Sequence, residues 1–509
     1  MLLSNPLLNF PPPLRLLQAR SGLTNPSTQK SVSLMNVPTR PLRLAACAAA
    51  MSLFLAGCDS RASRAEAAFN NYQAAMAAGD LQGGRMALLK LVAANEDVPS
   101  YWVELGKLQY QLKDYGKAYY AFTRANELNR SDPDVLRYLT QIALQSGDLE
   151  AAEQHSKELD LLTPGDPMVK ITGGLIALRR GNFAAASQQA DQILAAAPLD
   201  ANANILKARA LVGLEQPAAA VALLEEQIAR QPGDALGLKA LIDLHRTNSE
   251  WKPIVALGQR YRTLIPSDRD VALQTIEAAF RTGDVASART ESLAVLKPDA
   301  TVAQIQPVLD LWRQYWKGVE PLNLARQLGA KAGLAQRVAY GHYLNLSGAP
   351  NAAEALVADR AKDSPSPTNL DARAVYFDAL AHLGRQGEAR TGLEDILSRD
   401  PDNDLALMGL ASLLVATGNR AEAVNTARKL VAVDPTGVDA RLLLARCYQA
   451  QGDRASAERA LWDAFHEIPA AERIYTPLRA YLGPDSDEAR RLDGEYADQR
   501  QRKIMQDSI

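Results

Sequence analysis

The chain has 509 residues, of which 47% are hydrophobic and 22% charged, and its formal net charge is −2. This near-neutral balance argues against a nucleic-acid-binding protein, which usually carries a strongly basic face. The three cysteines, Cys47, Cys58 and Cys447, are too few for the disulfide framework of a small secreted domain.

Residues 1–34 differ in composition from the rest of the chain. They contain no acidic residue, and Phe10 is followed by three consecutive prolines, which disfavour a regular element. We interpret this segment as a misassigned or disordered N-terminal extension, with translation starting at Met35. A genuine long leader is the alternative.

Residues 35–57 are predicted to be a lipoprotein signal peptide. Arg40 and Arg43 precede the apolar run Leu44–Ala56, whose 13 residues are too few for a permanent membrane span. The run leads into Leu55-Ala56-Gly57-Cys58, which resembles the lipobox of bacterial lipoproteins. That resemblance implies cleavage before Cys58, a lipid on its thiol, and a lipidated linker over residues 58–64. An ordinary cleaved signal, with Cys58 incidental, is the alternative.

The sequence that follows repeats every 34 residues. In the middle of many units a glycine precedes Asp or Asn, as in Gly147-Asp148, where glycine can end one helix and the next residue can cap another. Proline closes each unit because it cannot continue a helix. Repeats of fixed period predict a solenoid of helix-turn-helix units. The period is marked by Pro164, Pro198, Pro232, Pro266, Pro367, Pro401, Pro435 and Pro469.

Residues 99–132 show the pattern most fully, with Trp102, Leu105, Gly106, Ala118 and Phe122. The spacing W-x2-L-G followed by A-x3-F resembles the tetratricopeptide repeat. The resemblance covers roughly residues 65–471. It implies an all-α, right-handed superhelical solenoid of about twelve helix-turn-helix repeats. Individual units depart from the family pattern at Gln109, Arg130 and Ile254.

The spacing of the prolines also predicts the boundaries within the array. An N-terminal array spans residues 65–300, and degenerate repeats fill 301–369, where the interval between prolines slips by one residue. A C-terminal array spans residues 370–471. Residues 472–509 are predicted to form a polar, helical capping tail.

The degenerate segment concentrates aromatic residues at Trp312, Tyr315 and Trp316. One interpretation is a repacked core at the point where the register slips. The other is a partner-binding patch, since aromatic residues dominate binding hot spots.

No catalytic motif is apparent. The five histidines are scattered without metal-ligand spacing, and no hydrolase, Walker or dinucleotide motif occurs. We therefore expect a protein that is not an enzyme and that binds no metal, cofactor or nucleic acid.

The resemblance also implies a concave groove lined by the first helix of each unit. Mixed charge in such a groove suggests a protein or peptide ligand, with plain solvation of a helix face as the alternative for each residue. The family's groove positions correspond to Glu104, Lys107, Arg137, Tyr138, Gln141, Arg209, Lys239, Asp243, Gln274 and Glu277.

These features predict a non-catalytic protein–protein interaction scaffold in the bacterial cell envelope. A lipid on Cys58 would anchor it to a membrane, inner or outer, so that it faces the periplasm and binds envelope proteins or peptides. The family resemblance implies a process such as polysaccharide export, secretion or outer-membrane assembly. The alternatives are a regulatory docking subunit for a cell-wall enzyme and a self-assembling structural array.

Overall fold

The computed structural model describes residues 61–483 and 486–507. These residues form 26 α-helices and no strand, which confirms the predicted all-α fold. No helix among them is long and apolar enough to cross a bilayer. The predicted N-terminal extension, signal peptide and lipobox with Cys58 lie outside the described residues.

The described residues divide into two compact units, 61–216 and 217–507, which we call the N-unit and the C-unit. The N-unit contains nine helices, numbered in chain order: α1 (Arg61–Ala77), α2 (Leu81–Ala94), α3 (Pro99–Gln111), α4 (Tyr115–Leu128), α5 (Pro133–Ser146), α6 (Leu149–Leu162), α7 (Pro167–Arg179), α8 (Phe183–Leu194) and α9 (Ala201–Gly213).

The C-unit contains the remaining seventeen helices of the described chain. They are α10 (Pro217–Arg230), α11 (Ala235–Thr247), α12 (Trp251–Leu264), α13 (Arg269–Arg281), α14 (Val285–Val295), α15 (Val302–Tyr315), α16 (Val319–Ala330), α17 (Leu334–Leu346), α18 (Pro350–Ala361), α19 (Leu370–His382), α20 (Gln386–Arg399), α21 (Asp404–Ala416), α22 (Arg420–Val433), α23 (Val438–Gln451), α24 (Arg454–Glu467), α25 (Glu472–Leu482) and α26 (Asp487–Asp507).

The turns use the residues that mark the repeat in the sequence. Gly147 ends α5 with a φ of 80°, a left-handed conformation that strains any residue with a Cβ. The carboxylate of Asp148 then caps α6 by accepting a hydrogen bond from the backbone N–H of Ala151 at 3.0 Å. The same type of cap opens five first helices, at Asp132, Asp166, Asp200, Asp234 and Asp268.

The second helix of most units carries an alanine where close helix packing is needed. A methyl group at this position lets a neighbouring helix approach closely. Ile254 occupies the equivalent position of α12 and is equally buried, so the array accommodates this departure from the pattern. The exposed fraction is 0% at Ala118, Ala152, Ala186, Ala220, Ala288, Ala389, Ala423 and Ala457.

Candidate protein-binding surface

The ten predicted groove residues all lie on first helices. Six belong to the N-unit and four to the C-unit, so the two sets are separate candidates. In the N-unit they are Glu104 and Lys107 on α3, Arg137, Tyr138 and Gln141 on α5, and Arg209 on α9. In the C-unit they are Lys239 and Asp243 on α11, and Gln274 and Glu277 on α13.

Polar bonds join the first helices of the N-unit to one another. The hydroxyl of Tyr72, on α1, donates to a Glu104 carboxylate oxygen at 3.1 Å, and the Lys107 ammonium donates to the other oxygen at 3.0 Å. Arg137 donates to Asp166, the N-cap of α7, at 2.6 Å. These side chains therefore connect successive repeats while remaining partly exposed.

Aromatic rings lie beside these charges. The ring of Tyr138 stacks on the buried Phe122 with centroids 4.6 Å apart and planes at 6°, and Tyr110 meets Tyr138 edge-on at 5.4 Å. Both tyrosines are half-buried, which leaves part of each ring open to solvent. Burial raises the pKa of Tyr110 to about 12, so its hydroxyl stays protonated and able to donate at neutral pH.

We call this surface the tyrosine face and define it by Tyr72, Tyr110, Tyr138, Glu104, Lys107 and Arg137. Sequence reasoning missed Tyr72 and Tyr110. Tyr110 follows Lys107 by three residues on α3, so helical spacing could have found it. The two other predicted residues of the N-unit are less accessible or more distant along the chain: Gln141 is buried, and Arg209 is half-buried on α9.

The predicted groove residues of the C-unit also bond neighbouring first helices. Lys239 donates to Asp268, the N-cap of α13, at 3.0 Å, and both side chains are largely buried. Burial alone would raise the pKa of Asp268, but the Lys239 ammonium, together with hydrogen bonds from the Val271 N–H and the Tyr261 hydroxyl, outweighs burial, and the pKa lies below its usual value. Gln274 donates to Asp243 at 3.4 Å.

The structure places two of the three clustered aromatic residues in the core. Trp312 is 0% and Trp316 6% exposed, and their rings meet edge-on at 5.1 Å. The indole N–H of Trp312 donates to the hydroxyl of Ser292 at 2.9 Å. This arrangement corresponds to the repacked-core interpretation, and only Tyr315 reaches a cavity at the surface.

That cavity lies in the C-unit and has a volume of about 340 Å³. Its walls come from α11–α13 and α15 on one side and from the segment starting at α23 on the other. Polar and aromatic side chains dominate the lining, among them Trp251, Arg281, Tyr315, Glu472 and Arg500. In the described parts of the chain, no group of three or more His, Cys, Asp or Glu side chains is arranged to hold a metal ion.

Comparison with known families accounts for the repeating architecture. One tetratricopeptide-repeat model matches residues 69–133 and 171–248, and a second matches residues 414–476. The chain is a tetratricopeptide-repeat protein. The fold class predicted from the 34-residue period is thereby confirmed.

This tetratricopeptide-repeat protein is similar to cellulose synthase operon protein C of Pseudomonas fluorescens (strain SBW25). The two are 23% identical over 435 residues, covering 78% of this chain and 34% of that protein. The chain thus spans about a third of the length of the curated relative that it matches.

Solved structures of repeat proteins show partial similarity. A tetratricopeptide repeat protein from Parabacteroides merdae ATCC 43184 gives a TM-score of 0.40 at 16% identity, covering 49% of this chain and 98% of that one. PilW, a type IV pilus biogenesis factor, gives a TM-score of 0.34 at 17% identity, covering 42% of this chain and 98% of that one.

Proposed function

We propose that this tetratricopeptide-repeat protein is a non-catalytic scaffold that binds other proteins through the tyrosine face of its N-unit. The observation that carries the proposal is the contact of half-buried Tyr110 and Tyr138, with Lys107 and Arg137 on the same two helices. Tyrosine and arginine are enriched among the residues that dominate binding energy. A tyrosine also offers a large contact area with only two side-chain torsions to restrict.

The charges of the face suit a polypeptide partner. Lys107 and Glu104 keep 35% and 30% of their side-chain surface exposed, so a partner can reach both signs of charge. Since the pair is not deeply buried, exchanging an internal ion pair for one with a partner leaves no isolated buried charge. A protein segment with alternating polar groups fits this pattern better than a uniformly charged polymer.

We further propose that a lipid on Cys58 holds this scaffold in the bacterial cell envelope, facing the periplasm. The signal-peptide pattern and lipobox support the anchor. The similarity to a cellulose synthase operon protein supports an envelope process, such as polysaccharide export, secretion or outer-membrane assembly. The partners would be proteins or peptides of that envelope.

A crosslinked pull-down tests the tyrosine face. Replacing Lys107 and Tyr110 together by alanine should reduce recovery of envelope partners at least about tenfold, equivalent to about 1.4 kcal/mol of binding free energy. Cells would be crosslinked intact, the envelope solubilised in mild detergent, and proteins recovered with a C-terminal tag quantified by mass spectrometry.

The matched control replaces Lys157 and Tyr120, which are exposed on second helices outside the tyrosine face. This double variant should recover the wild-type set of proteins. Circular dichroism would establish that both variants remain folded. Equal recovery from the two variants would show that the tyrosine face does not bind the partners.

The anchor is tested by Cys58→Ala. We expect the variant to leave the membrane fraction, remain folded and lack the mass of a lipid at its N-terminus. Cell fractionation and intact-mass spectrometry measure both effects. Cys47→Ala, which alters only the predicted signal peptide, should still yield a lipidated, membrane-bound protein. A Cys58→Ala protein that stayed membrane-bound would contradict lipid anchoring at this residue.

A further inference from the structure

Three side chains of the C-unit converge on one carboxylate. Arg281, on α13, forms an ion pair with Glu472 at the start of α25. Gln314 and Tyr315, on α15, lie with their amide nitrogen and hydroxyl oxygen 3.4 Å and 3.3 Å from the same Glu472 oxygen. A charge-assisted donor and two neutral donors therefore lie within reach of this oxygen, and the single Tyr315 proton is shared with Glu277, 3.4 Å away.

The guanidinium of Arg281 is positioned by groups other than Glu472. Glu277, one turn earlier on α13, accepts a hydrogen bond from Arg281 at 2.8 Å. The guanidinium carbon also lies 4.4 Å from the ring centroid of Trp251 and 5.2 Å from that of Tyr315. Ion pairing and cation–π contacts thus hold Arg281 in place, and the three donors can keep their arrangement when Glu472 leaves.

A second set of ion pairs lies next to this carboxylate site. Arg313, on α15, donates to Asp439 of α23 at 2.6 Å. Arg473, on α25, donates to the other oxygen of Asp439 at 2.5 Å and lies 3.7 Å from Asp310 of α15. Glu472 and Asp439 are 191 and 126 residues from the arginines that they bind on α13 and α15. These bonds therefore close the C-unit on itself.

Glu472 and Arg473 of α25 reach α13 and α15 through polar groups. Ile474 and Leu478 of α25 belong to a buried cluster with Leu461 and Phe465 of α24, whereas Trp312 of α15 belongs to a different one. Leu444 and Tyr448 of α23, both partly buried, pack against both clusters. Partly exposed ion pairs are individually weak and screened by salt, so a polar closure can open more readily than an apolar one.

We propose that Arg281, Gln314 and Tyr315 form a carboxylate-binding site that Glu472 occupies in the closed C-unit and an acidic side chain of a partner protein occupies in the open one. The partner's existence rests on the proposed function, whereas the closure by Glu472 does not. The charge of the adjoining cavity favours an acidic segment, because its lining has four arginines and two glutamates: Arg246, Arg281, Arg473, Arg500, Glu277 and Glu472.

Hydrogen exchange of the full chain tests the closure. In Glu472→Gln, amides of α25 and of the adjacent residues 470–471 should exchange faster by on the order of fivefold, as expected for the loss of one such interaction. Wild-type protein in 1 M salt should show the same change. Glu467→Gln, which alters an exposed glutamate of α24, is the control and should match wild type. If the α25 amides exchanged at the same rate in Glu472→Gln, and in wild-type protein at 1 M salt, as in wild-type protein at low salt, the closure would be overturned.

A labelled peptide tests the site itself. A fluorescein-labelled peptide of residues 469–483, which carries the Glu472 carboxylate, should bind full-length Glu472→Gln about fivefold more tightly than wild type by fluorescence anisotropy. The same peptide with glutamine in place of its glutamate should lose this advantage. Binding of neither peptide, or equal binding of both, would overturn the carboxylate site.

The two proposals can fail separately. In one case, the tyrosine-face variant loses its partners, but Glu472→Gln changes neither hydrogen exchange nor peptide binding. That result would support the scaffold function and reject the carboxylate site. In the other case, hydrogen exchange and peptide binding change as expected, but no partner depends on the tyrosine face. That result would support the carboxylate site and reject the tyrosine face as the binding surface.

Discussion

Replacing Trp312 with alanine is expected to lower the free energy of unfolding of the C-unit by about 3–5 kcal/mol. The side chain is 0% exposed and the largest of the fully buried ones among the described residues. Its ring packs edge-on against Trp316 and Tyr343, at 5.1 Å and 6.2 Å between centroids. Truncation would remove these contacts, leave a cavity and delete the hydrogen bond to Ser292.

Urea denaturation followed by far-UV circular dichroism, with local hydrogen exchange on α15, would measure this loss. Trp312→Phe is the matched control, because it keeps an aromatic ring in the core while removing the N–H donor and part of the fused ring. It should therefore cost less than Trp312→Ala, with about 1 kcal/mol of the loss due to the hydrogen bond. If Trp312→Ala melted like wild type but failed to retain partners, the partner-patch interpretation would replace the core interpretation.

Replacing two adjacent glycines of α7 with alanine, one at a time, should change the stability of the protein in opposite directions. At Gly174, an added Cβ would lie 2.3 Å from Cδ2 and 3.2 Å from Cγ of Leu206, which is itself fully buried. Overpacking of this kind costs about 1–3 kcal/mol. At Gly173, the nearest atom to an added Cβ is Gln189 Cδ at 4.0 Å, so alanine fits and should stabilise the helix by about 0.5–1 kcal/mol.

Denaturant midpoints of the two single variants, read together with hydrogen exchange on α7 of the N-unit, would test this difference. Each variant serves as the control for the other, since both make the same chemical change one residue apart. If the denaturant midpoint moved in the same direction for both variants, the packing of α7 against Leu206 would be contradicted.

The sequence by itself determined the repeat and its turns. Gly147 and Asp148 act on backbone groups within a few residues of themselves, so their roles depend little on the rest of the fold. The 34-residue period then extended this local argument along the array. The signal peptide and the lipid on Cys58 also depend on linear pattern alone, and they remain predictions.

The candidate binding residues were predicted only as positions on first helices. The sequence placed Lys107 and Tyr138 on such helices correctly. It did not show that Glu104 bonds Tyr72, or that Lys239 bonds Asp268, because each bond joins helices of different repeats. A periodic pattern predicts which face of a helix a residue occupies. It does not predict which side chain of a neighbouring repeat that residue contacts.

Only the tertiary structure decided the surroundings of Trp312 and Glu472. The spacing of Trp312 suited either a core or a surface patch, and its burial came from packing with rings of other helices. Glu472 was predicted as part of a polar tail, yet it meets Arg281 across 191 residues of chain. Local propensity and periodicity act over a few turns of helix, whereas contacts at this separation depend on how successive repeats of the C-unit stack on one another.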